Sequence, residues 1–311
     1  MTTQPMNILV TGAAGRLGRA VADDLEQQGH RVHRTDKVLG RRGKPGRIAQ
    51  VEPKPADQKP IDLADLTDEM TCYRLLQGKD AVVHFGNVPF FWEGVHRAQE
   101  VYTQNTSINI NMFTAAGECG VKKIVFASSI QTMIGDRMYR EGRPVTPSGH
   151  LSLPLSERSQ VNPLNPYSLS KLAGEQALSW ACYKFNTQGV SLRITYVVHN
   201  QEPVLATASE HHNDEPNDWE LLDEVFGYLA IPDLTSLVRA VLSTNLPGHR
   251  VYVPASLGTR IRMHASQIKE RFFPNVELTC PIEQIDELGF FDTSTITRDT
   301  GWKPTFRLHP R

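Results

Sequence analysis

Cysteine is scarce in this chain: Cys72, Cys119, Cys182 and Cys280 are the only four in 311 residues. They are widely scattered and form no C-x-x-C pair, so neither a zinc site nor a disulfide frame is expected, and the thiols read as buried and reduced. An excess of charge of one sign is lacking too. The 33 lysines and arginines face 34 aspartates and glutamates, for a formal net charge of −1. That balance lacks the basic surplus that would hold nucleic acid or an anionic membrane surface. Long hydrophobic runs are missing, since no window approaches the ~18 apolar residues needed to span a bilayer. The N-terminus shows no basic segment leading into an apolar stretch. A cytoplasmic protein without nucleic-acid or membrane partners is expected. No internal repeat and no clean linker break the chain, and a 40% hydrophobic content suits a large core.

Present instead is a glycine pattern near the start. Ile8-Leu9-Val10 is an apolar run suited to a strand buried on both faces of a parallel sheet. Gly12, Gly15 and Gly18 follow at three-residue spacing, and Arg19 to Glu26 reads as an amphipathic helix with Gly29 at its C-terminal cap. Strand, glycine turn and helix in that order point backbone N–H groups and a positive helix end at a phosphate. Bare backbone at Gly12 and Gly15 allows a tight turn and close approach to a pyrophosphate, and Gly18 lets the helix pack near the sheet. Arg31 to Asp36 gives a second short strand ending in an acid, where a carboxylate would accept bonds from an adenosine ribose. The cofactor expected is NAD, because Asp36 would repel a 2′-phosphate. Arg34, Lys37 and the basic loop 41–47 weigh on the other side.

Further along, residues 40–47 and 52–60 read as loop. A helix runs from Asp65-Leu66 through Leu76, with Thr67 as its N-cap. Ala81 to Phe85 is a buried strand running into Gly86-Asn87. Val88 to Trp92 is an aromatic segment that either lines a substrate mouth or plugs the sheet. Residues 95–118 form a long helix, and Val121 to Ala127 a strand that ends at Ser128-Ser129. A proline-rich stretch over 137–163 reads as a long loop of the kind used for lids and binding segments. Pro166 to Phe185 is helical, capped by Asn165, and Gly189 precedes a strand over Val190–Ile194. This alternation predicts an α/β fold, a Rossmann-type doubly wound parallel sheet. Residues 199–220 carry His199, His211 and His212 in an acidic context, read as solvated rather than as metal ligands. A helix over Leu234–Leu242, a strand over Arg250–Val253 and a helix over Ala265–Arg271 complete the pattern. The domains expected are 1–198, the dinucleotide-binding part, and an interleaved smaller substrate lobe over 199–311.

Tyr167 and Lys171 stand four residues apart on one predicted helix and so share a face. A free phenol, with a pKa of about 10, is a poor base at neutral pH. A lysine ammonium one turn away favours the phenolate and lowers that value. Ser129, at the end of a strand, is placed to hydrogen-bond the same substrate oxygen, with Ser128 and Thr132 as neighbours able to take its place.

The chain resembles the extended short-chain dehydrogenase/reductase family, the NAD-dependent epimerases and dehydratases. The matching residues are T-G-A-A-G-R-L-G at Thr11 to Gly18, Asp36, Asp65-Leu66, H-F-G-N at His84 to Asn87, and Asn105. They continue with Ser128-Ser129, Y-S-L-S-K at Tyr167 to Lys171, Leu192-Arg193, and G-W-K-P at Gly301 to Pro304. These run in family order over almost the whole chain. The resemblance implies that Gly12, Gly15 and Gly18, with Arg16 and Leu17, cradle the pyrophosphate and that Asp36 holds the adenosine ribose. It places Asp65 and Leu66 beside the adenine and Gly86, Asn87 and Asn105 along the cofactor. Lys171 then holds the nicotinamide ribose, and Ser129 with Tyr167 does the proton chemistry. Two departures bear on the substrate: Thr195 to Asn200 replaces the family's Asn-x-Tyr-Gly-Pro-like segment, and Ile134 replaces a tyrosine after Ser129. His84 to Asn87 and the compact C-terminal lobe resemble the uronate-dehydrogenase branch.

The function expected is hydride transfer from a hydroxyl carbon of a sugar, sugar acid or sugar nucleotide to NAD. An epimerase that retains its cofactor shares the first step. A dinucleotide-sensing regulatory protein is the rival from another class, and retention of the Tyr/Lys pair argues against it. A homodimer is expected through the 95–118 helix and the helix carrying Tyr167, on which Leu169, Ala173, Gln176 and Trp180 form one stripe. Trp180 either anchors that contact or packs onto its own sheet.

Overall fold

The branched residues of the first apolar run have no exposed surface: Ile8, Leu9 and Val10 are fully buried in β1 (Asn7–Thr11). The structure is a computed structural model that describes residues 4–37, 59–88, 97–134, 139–140, 143–144, 152–163, 165–198, 225–261 and 263–308. Around β1 lie β2 (Arg31–Asp36), β3 (Asp62–Leu63), β4 (Ala81–His84), β5 (Lys123–Ser129), β6 (Gln188–Ile194) and β7 (His249–Tyr252). They form one sheet in the order β7-β6-β5-β4-β1-β2-β3. Pairing is parallel from β3 to β5, with Ile8 opposite Val32 on one side and opposite Ala81 on the other. The chain therefore leaves β1 in one direction for β2 and β3, then returns to build β4 and β5 on the other side. The reversal between β1 and β4 is the switch point at which such sheets bind ligands.

The helices are α1 (Arg16–Gln27), α2 (Glu69–Leu76), α3 (Ala98–Glu118), α4 (Gln131–Ile134) and α5 (Pro166–Phe185). They continue with α6 (Ile231–Ser243), α7 (Ala265–Phe272), α8 (Ile282–Leu288) and α9 (Ser294–Thr300). Several boundaries differ from the sequence reading. Asp68, not Thr67, caps α2, because its carboxylate accepts the Thr71 amide at 3.2 Å while Thr67 bonds back to Asp65. Gly189 lies inside β6 rather than before it. A Cβ there would meet Cys182 Sγ at 2.4 Å, so only glycine lets the strand pass so close to α5. The stretch read as one long loop contains short strands at Tyr139–Arg140, Arg143–Pro144 and Ser152–Leu153. Gly29 is confirmed just past the end of α1, at φ 88°, donating to Glu26 O.

The chain divides into two compact units. One comprises Met1–Ala127, Leu169–Ser191 and Val241–Arg250; the other comprises Ser128–Ser168, Leu192–Ala240 and Val251–Arg311. The first has a core of Leu9, Val82, Met112, Phe113, Ile124, Phe126 and Leu178 among others. The second packs Ile130, Leu155, Phe226, Val253, Ile268, Phe290 and Phe291. Among the described residues no helix is long and apolar enough to cross a membrane.

Candidate active site

In the first unit the glycine turn follows β1 directly. Gly12 adopts φ 66°, and a Cβ on it would lie 2.8 Å from the Phe85 carbonyl carbon, so the turn sits tight against the end of β4. At Gly18 a Cβ would come within 2.3 Å of Gly12 O, so α1 rests on the turn. At Gly15 a Cβ would meet only Gly12 O, at 3.1 Å, which leaves the outer side of the turn bare. Among the described residues no side chain caps α1, whose N-cap is Gly15 and whose first turn includes the half-buried Arg16 and Leu17. Asp36 Oδ2 accepts the Ala14 amide at 2.9 Å, tying the end of β2 to the same turn. A bare turn, an uncapped twelve-residue helix start and an adjacent carboxylate fit the diphosphate and ribose of a dinucleotide.

Two of the basic residues weighed against NAD are engaged elsewhere. Arg34 is buried and bonds Glu26 Oε1 at 2.9 Å and Asp23 Oδ1 at 2.7 Å on α1. Lys37 pairs with Asp65 Oδ2 at 2.8 Å. Asp65, expected beside the adenine, is thereby held at a pKa of about 2 by Lys37 and by the Thr67 hydroxyl and amide, against the effect of partial burial. Leu66 is buried next to it. The basic loop at 41–47, the aromatic segment at 89–92 and the histidine-bearing stretch 199–220 lie outside the described residues.

At the C-terminal end of β4 the polar groups are linked. His84 is fully enclosed, with Nδ1 2.7 Å from Thr11 Oγ1 and Nε2 3.1 Å from Asn109 Oδ1. Burial, reinforced by the charge of Lys171, pushes the imidazole down to about 3. Gly86 donates its amide to Thr11 Oγ1 at 3.0 Å. Asn87 donates Nδ2 to Asn109 Oδ1 at 2.9 Å and accepts Lys171 Nζ on Oδ1 at 2.9 Å. Lys171 also donates to Ala127 O at 2.7 Å, and burial pushes its ammonium down to about 7. Asn105 holds the backbone of Val88 from both sides, accepting its amide at 2.7 Å and donating to its carbonyl, and donates to Ser170 Oγ. The structure thus brings Gly86, Asn87, Asn105 and Lys171 together, and Asn105 serves the strand-to-loop corner.

In the second unit β5 delivers Ser128 and Ser129, both buried. Ser129 Oγ accepts the Gln131 amide at 3.2 Å, and Thr132 Oγ1 donates to Ser129 O at 2.9 Å. Thr132 therefore spends its hydroxyl proton on the backbone, and Ser129 Oγ beside it receives a backbone amide. Asn165 caps α5 as expected, accepting the Ser168 amide at 2.8 Å. Tyr167, buried, lies in the first turn of α5, four residues before Lys171 on the same helix.

Three polar residues make contacts that the sequence reading did not give them. Thr11 and Asn109 are the buried partners of His84; Thr11 was read only as the first residue of the glycine motif, and Asn109 belongs to no motif. Lys123 Nζ, buried, caps the C-terminus of α6 through Val241 O at 2.9 Å and Thr244 O. In sequence Lys123 is one of two adjacent lysines and carries no signal separating it from a solvated one.

A model of the NAD dependent epimerase/dehydratase family matches residues 8–204. The chain is 29% identical over 253 residues to a uronate dehydrogenase of Pseudomonas syringae pv. tomato, covering 80% of this chain and 75% of that protein. It is 28% identical over 178 residues to a UDP-glucose 4-epimerase of Lactobacillus helveticus, covering 57% and 47%. Among solved structures, a UDP-glucose 4-epimerase from Thermotoga maritima superposes with a TM-score of 0.65 at 19% identity, over 97% of this chain and 95% of that one. A uronate dehydrogenase from Agrobacterium tumefaciens gives 0.63 at 22%, over 98% and 86%. At these identities the structural likeness speaks to the fold, a Rossmann-type α/β sheet.

Proposed function

The chain belongs to the NAD dependent epimerase/dehydratase family, and from that premise we propose an NAD-dependent oxidoreductase acting at a hydroxyl carbon of a sugar or sugar acid, with Tyr167 as acid/base. The observation that carries this reading is Lys171. A lysine ammonium is held in the protein interior by Asn87 Oδ1 and Ala127 O, one helical turn from a tyrosine on the same helix. A buried cation at that spacing favours the phenolate and brings a phenol within range of proton transfer near neutral pH. Tyr167 takes the substrate hydroxyl proton, and Ser129 orients the same oxygen, with Ser128 beside it. NAD, when bound, supplies the hydride acceptor. Gly12, Gly15, Gly18, Arg16 and Leu17 would hold its diphosphate, Asp36 its adenosine ribose, and Asp65 and Leu66 its adenine. Gly86, Asn87 and Asn105 would line its path, and Lys171 would bind the nicotinamide ribose. The smaller lobe, residues 199–311, is assigned to the sugar.

Free uronic acids lead the substrate list, supported by the uronate dehydrogenase match at 29% identity over 80% of this chain, against 27% over 79% for a UDP-glucose 4-epimerase of Corynebacterium glutamicum. A sugar-nucleotide epimerase is the second reading, favoured by the L. helveticus similarity. The dinucleotide-sensor reading gives no reason to keep an interior ammonium beside Tyr167. Hexuronic acids, neutral hexoses and UDP-sugars assayed with NAD at 340 nm decide among them. NADH formation with a uronic acid is expected. Sugar interconversion without net NADH would favour the epimerase, and inertness toward the whole panel would overturn both.

We also assign a homodimer formed through the exposed faces of α3 and α5, where Tyr102, Ile110, Leu169, Trp180 and Tyr183 stand partly or largely in solvent. Trp180 lies edge-on to Phe185 of its own helix and remains 45% exposed, so packing onto the sheet does not occupy it. The four free cysteines suit the reducing cytoplasm.

A further inference from the structure

A lysine side chain can only donate hydrogen bonds, and that single fact sets the polarity of every group behind Lys171. Asn87 must turn its oxygen to Lys171 Nζ, which leaves its Nδ2 to donate to Asn109 Oδ1. Asn109 Oδ1 then receives a second donor, His84 Nε2, so the imidazole carries its proton there. His84 Nδ1 is consequently bare and takes the Thr11 hydroxyl proton, and Thr11 Oγ1 takes the Gly86 amide in turn. The chain runs in one direction from the ammonium to the backbone at the end of β4, entirely inside the first unit. Its members are packed in place: His84 stacks on Phe126 and meets Phe113 edge-on. A Cβ on Gly174 of α5 would lie 2.6 Å from Asn109 Nδ2, so the helix closes over the amide.

We propose that His84 is a positioning residue for this site: held between Thr11 and Asn109, it fixes the Asn87 amide with its oxygen toward Lys171 and so sets where the ammonium sits. Among the described residues, the bond to Asn109 is the shorter of the two that Asn87 Nδ2 donates. The other bond of Asn87 Nδ2, to its neighbour Gly86 O, is long at 3.2 Å. Without the donor from His84, Asn109 Oδ1 is oriented by Asn87 alone, and the grip that holds the Asn87 nitrogen away from Lys171 is loosened. The low imidazole pKa agrees with this role, since a second proton on the ring would meet the Thr11 hydroxyl and oppose the Lys171 charge. That ammonium is the charged group bearing on the ring. The inference rests on the reading that Lys171 serves the reaction.

His84→Phe keeps a flat ring between Phe113 and Phe126 while removing both bonds, and His84→Gln restores a donor toward Asn109. The enzyme is labelled with lysine carrying 13C at Cε, and the Lys171 signal is assigned by its loss in Lys171→Met. In His84→Phe the titration midpoint of Lys171 is expected to fall by about one pH unit, because an acceptor that favours the charged form is lost. His84→Gln should lie between Phe and wild type. With a uronic acid and NAD, kcat in His84→Phe should drop about tenfold while KM stays within about threefold, the pattern of a group acting on the reacting state. An unchanged Lys171 midpoint in folded His84→Phe would overturn the proposal. Should that variant fail to fold, Asn87→Ala, at the half-buried end of the chain, removes the same acceptor, and an unchanged midpoint there overturns it equally. The two readings fail separately. Full turnover in Lys171→Met would remove the assigned function, whereas the midpoint tests the positioning whatever the reaction is.

Discussion

At the scale of single residues, the site sets an interior charge against the stability of the chain. Lys171 is 3% exposed, and burial lowers its ammonium from the ordinary 10.5 to about 7. The unfolded chain keeps the ordinary value, so between about pH 7 and 10.5 it binds more protons than the folded one, and stability through this group rises with pH over that window. Below the window the penalty of burying the charge is fully present. Lys171→Met is therefore expected to raise the melting temperature at pH 6 by about 2–4 °C and by less at pH 9. Thermal unfolding at the two pH values checks it. A loss of equal size at both would mean that the bonds to Asn87 and Ala127 outweigh the burial of charge. Tyr167→Phe removes one hydroxyl from a buried ring and should leave fold and NAD binding intact. Turnover is expected to fall by ~100-fold or more, the range of a lost acid/base group. Steady-state kinetics beside an NAD titration measures both, and wild-type turnover in the variant would remove Tyr167 from the chemistry.

At the scale of elements, the G-W-K-P segment owes its place to α6. Asp233, fully buried in the first turn of α6, accepts Ser256 Oγ at 2.5 Å, the Thr305 amide at 2.9 Å and the Phe306 amide at 3.2 Å. Trp302 Nε1 donates to Ser236 Oγ, one turn further along. Asp233→Ala strands these donors and is expected to cost about 3 kcal/mol. Urea unfolding that shifts by less than a third of that would show that water replaces the carboxylate. This anchor marks the limit of what the chain discloses before it folds. Elements with one strong period were legible: β1 covers its apolar run with one residue more at each end, β2 runs from Arg31 to Asp36 as read, and Asn165-Pro166 opens α5. Boundaries set by competition between neighbours were not. Thr67 and Asp68 are both good caps, and only the turn closed by Asp65 decides for Asp68. Within the site, glycines and the Tyr/Lys pair were legible because their chemistry depends on local spacing. The bonds of Thr11, His84, Asn109 and Asp233 reach partners 23 to 75 residues away, so although Thr11 and His84 stand in matched motifs, spacing carries no information about what they hold.

At the scale of the whole molecule, the exposed apolar residues are unevenly spread. Of the large hydrophobic side chains in solvent among the described residues, Tyr102 and Ile110 lie on α3, and Leu169, Trp180 and Tyr183 on α5. Scattered singly they would need no explanation, but five on two helices of the first unit form a face. Between them run the small side chains of Thr106, Ala173, Gly174 and Ala177, which line a depression with Tyr102 and Ile110. Small residues let a second helix pair approach, and Trp180 and Tyr183 supply the large aromatic anchors that dominate such contacts. Two copies meeting face to face would satisfy the patch on both at once, as a twofold interface requires. Each copy keeps its own Ser129, Tyr167 and Lys171, so pairing is not needed to complete the residues of the site. Light scattering at micromolar concentration should give about twice the 34.8 kDa chain mass. Trp180→Glu, which places a charge on the face, should return the mass to one chain. Turnover per chain should hold within about twofold, since the substitution removes no group from the site. A wild-type mass of one chain up to the solubility limit would exclude the dimer and leave the assignment of Tyr167 and Lys171 as it stands.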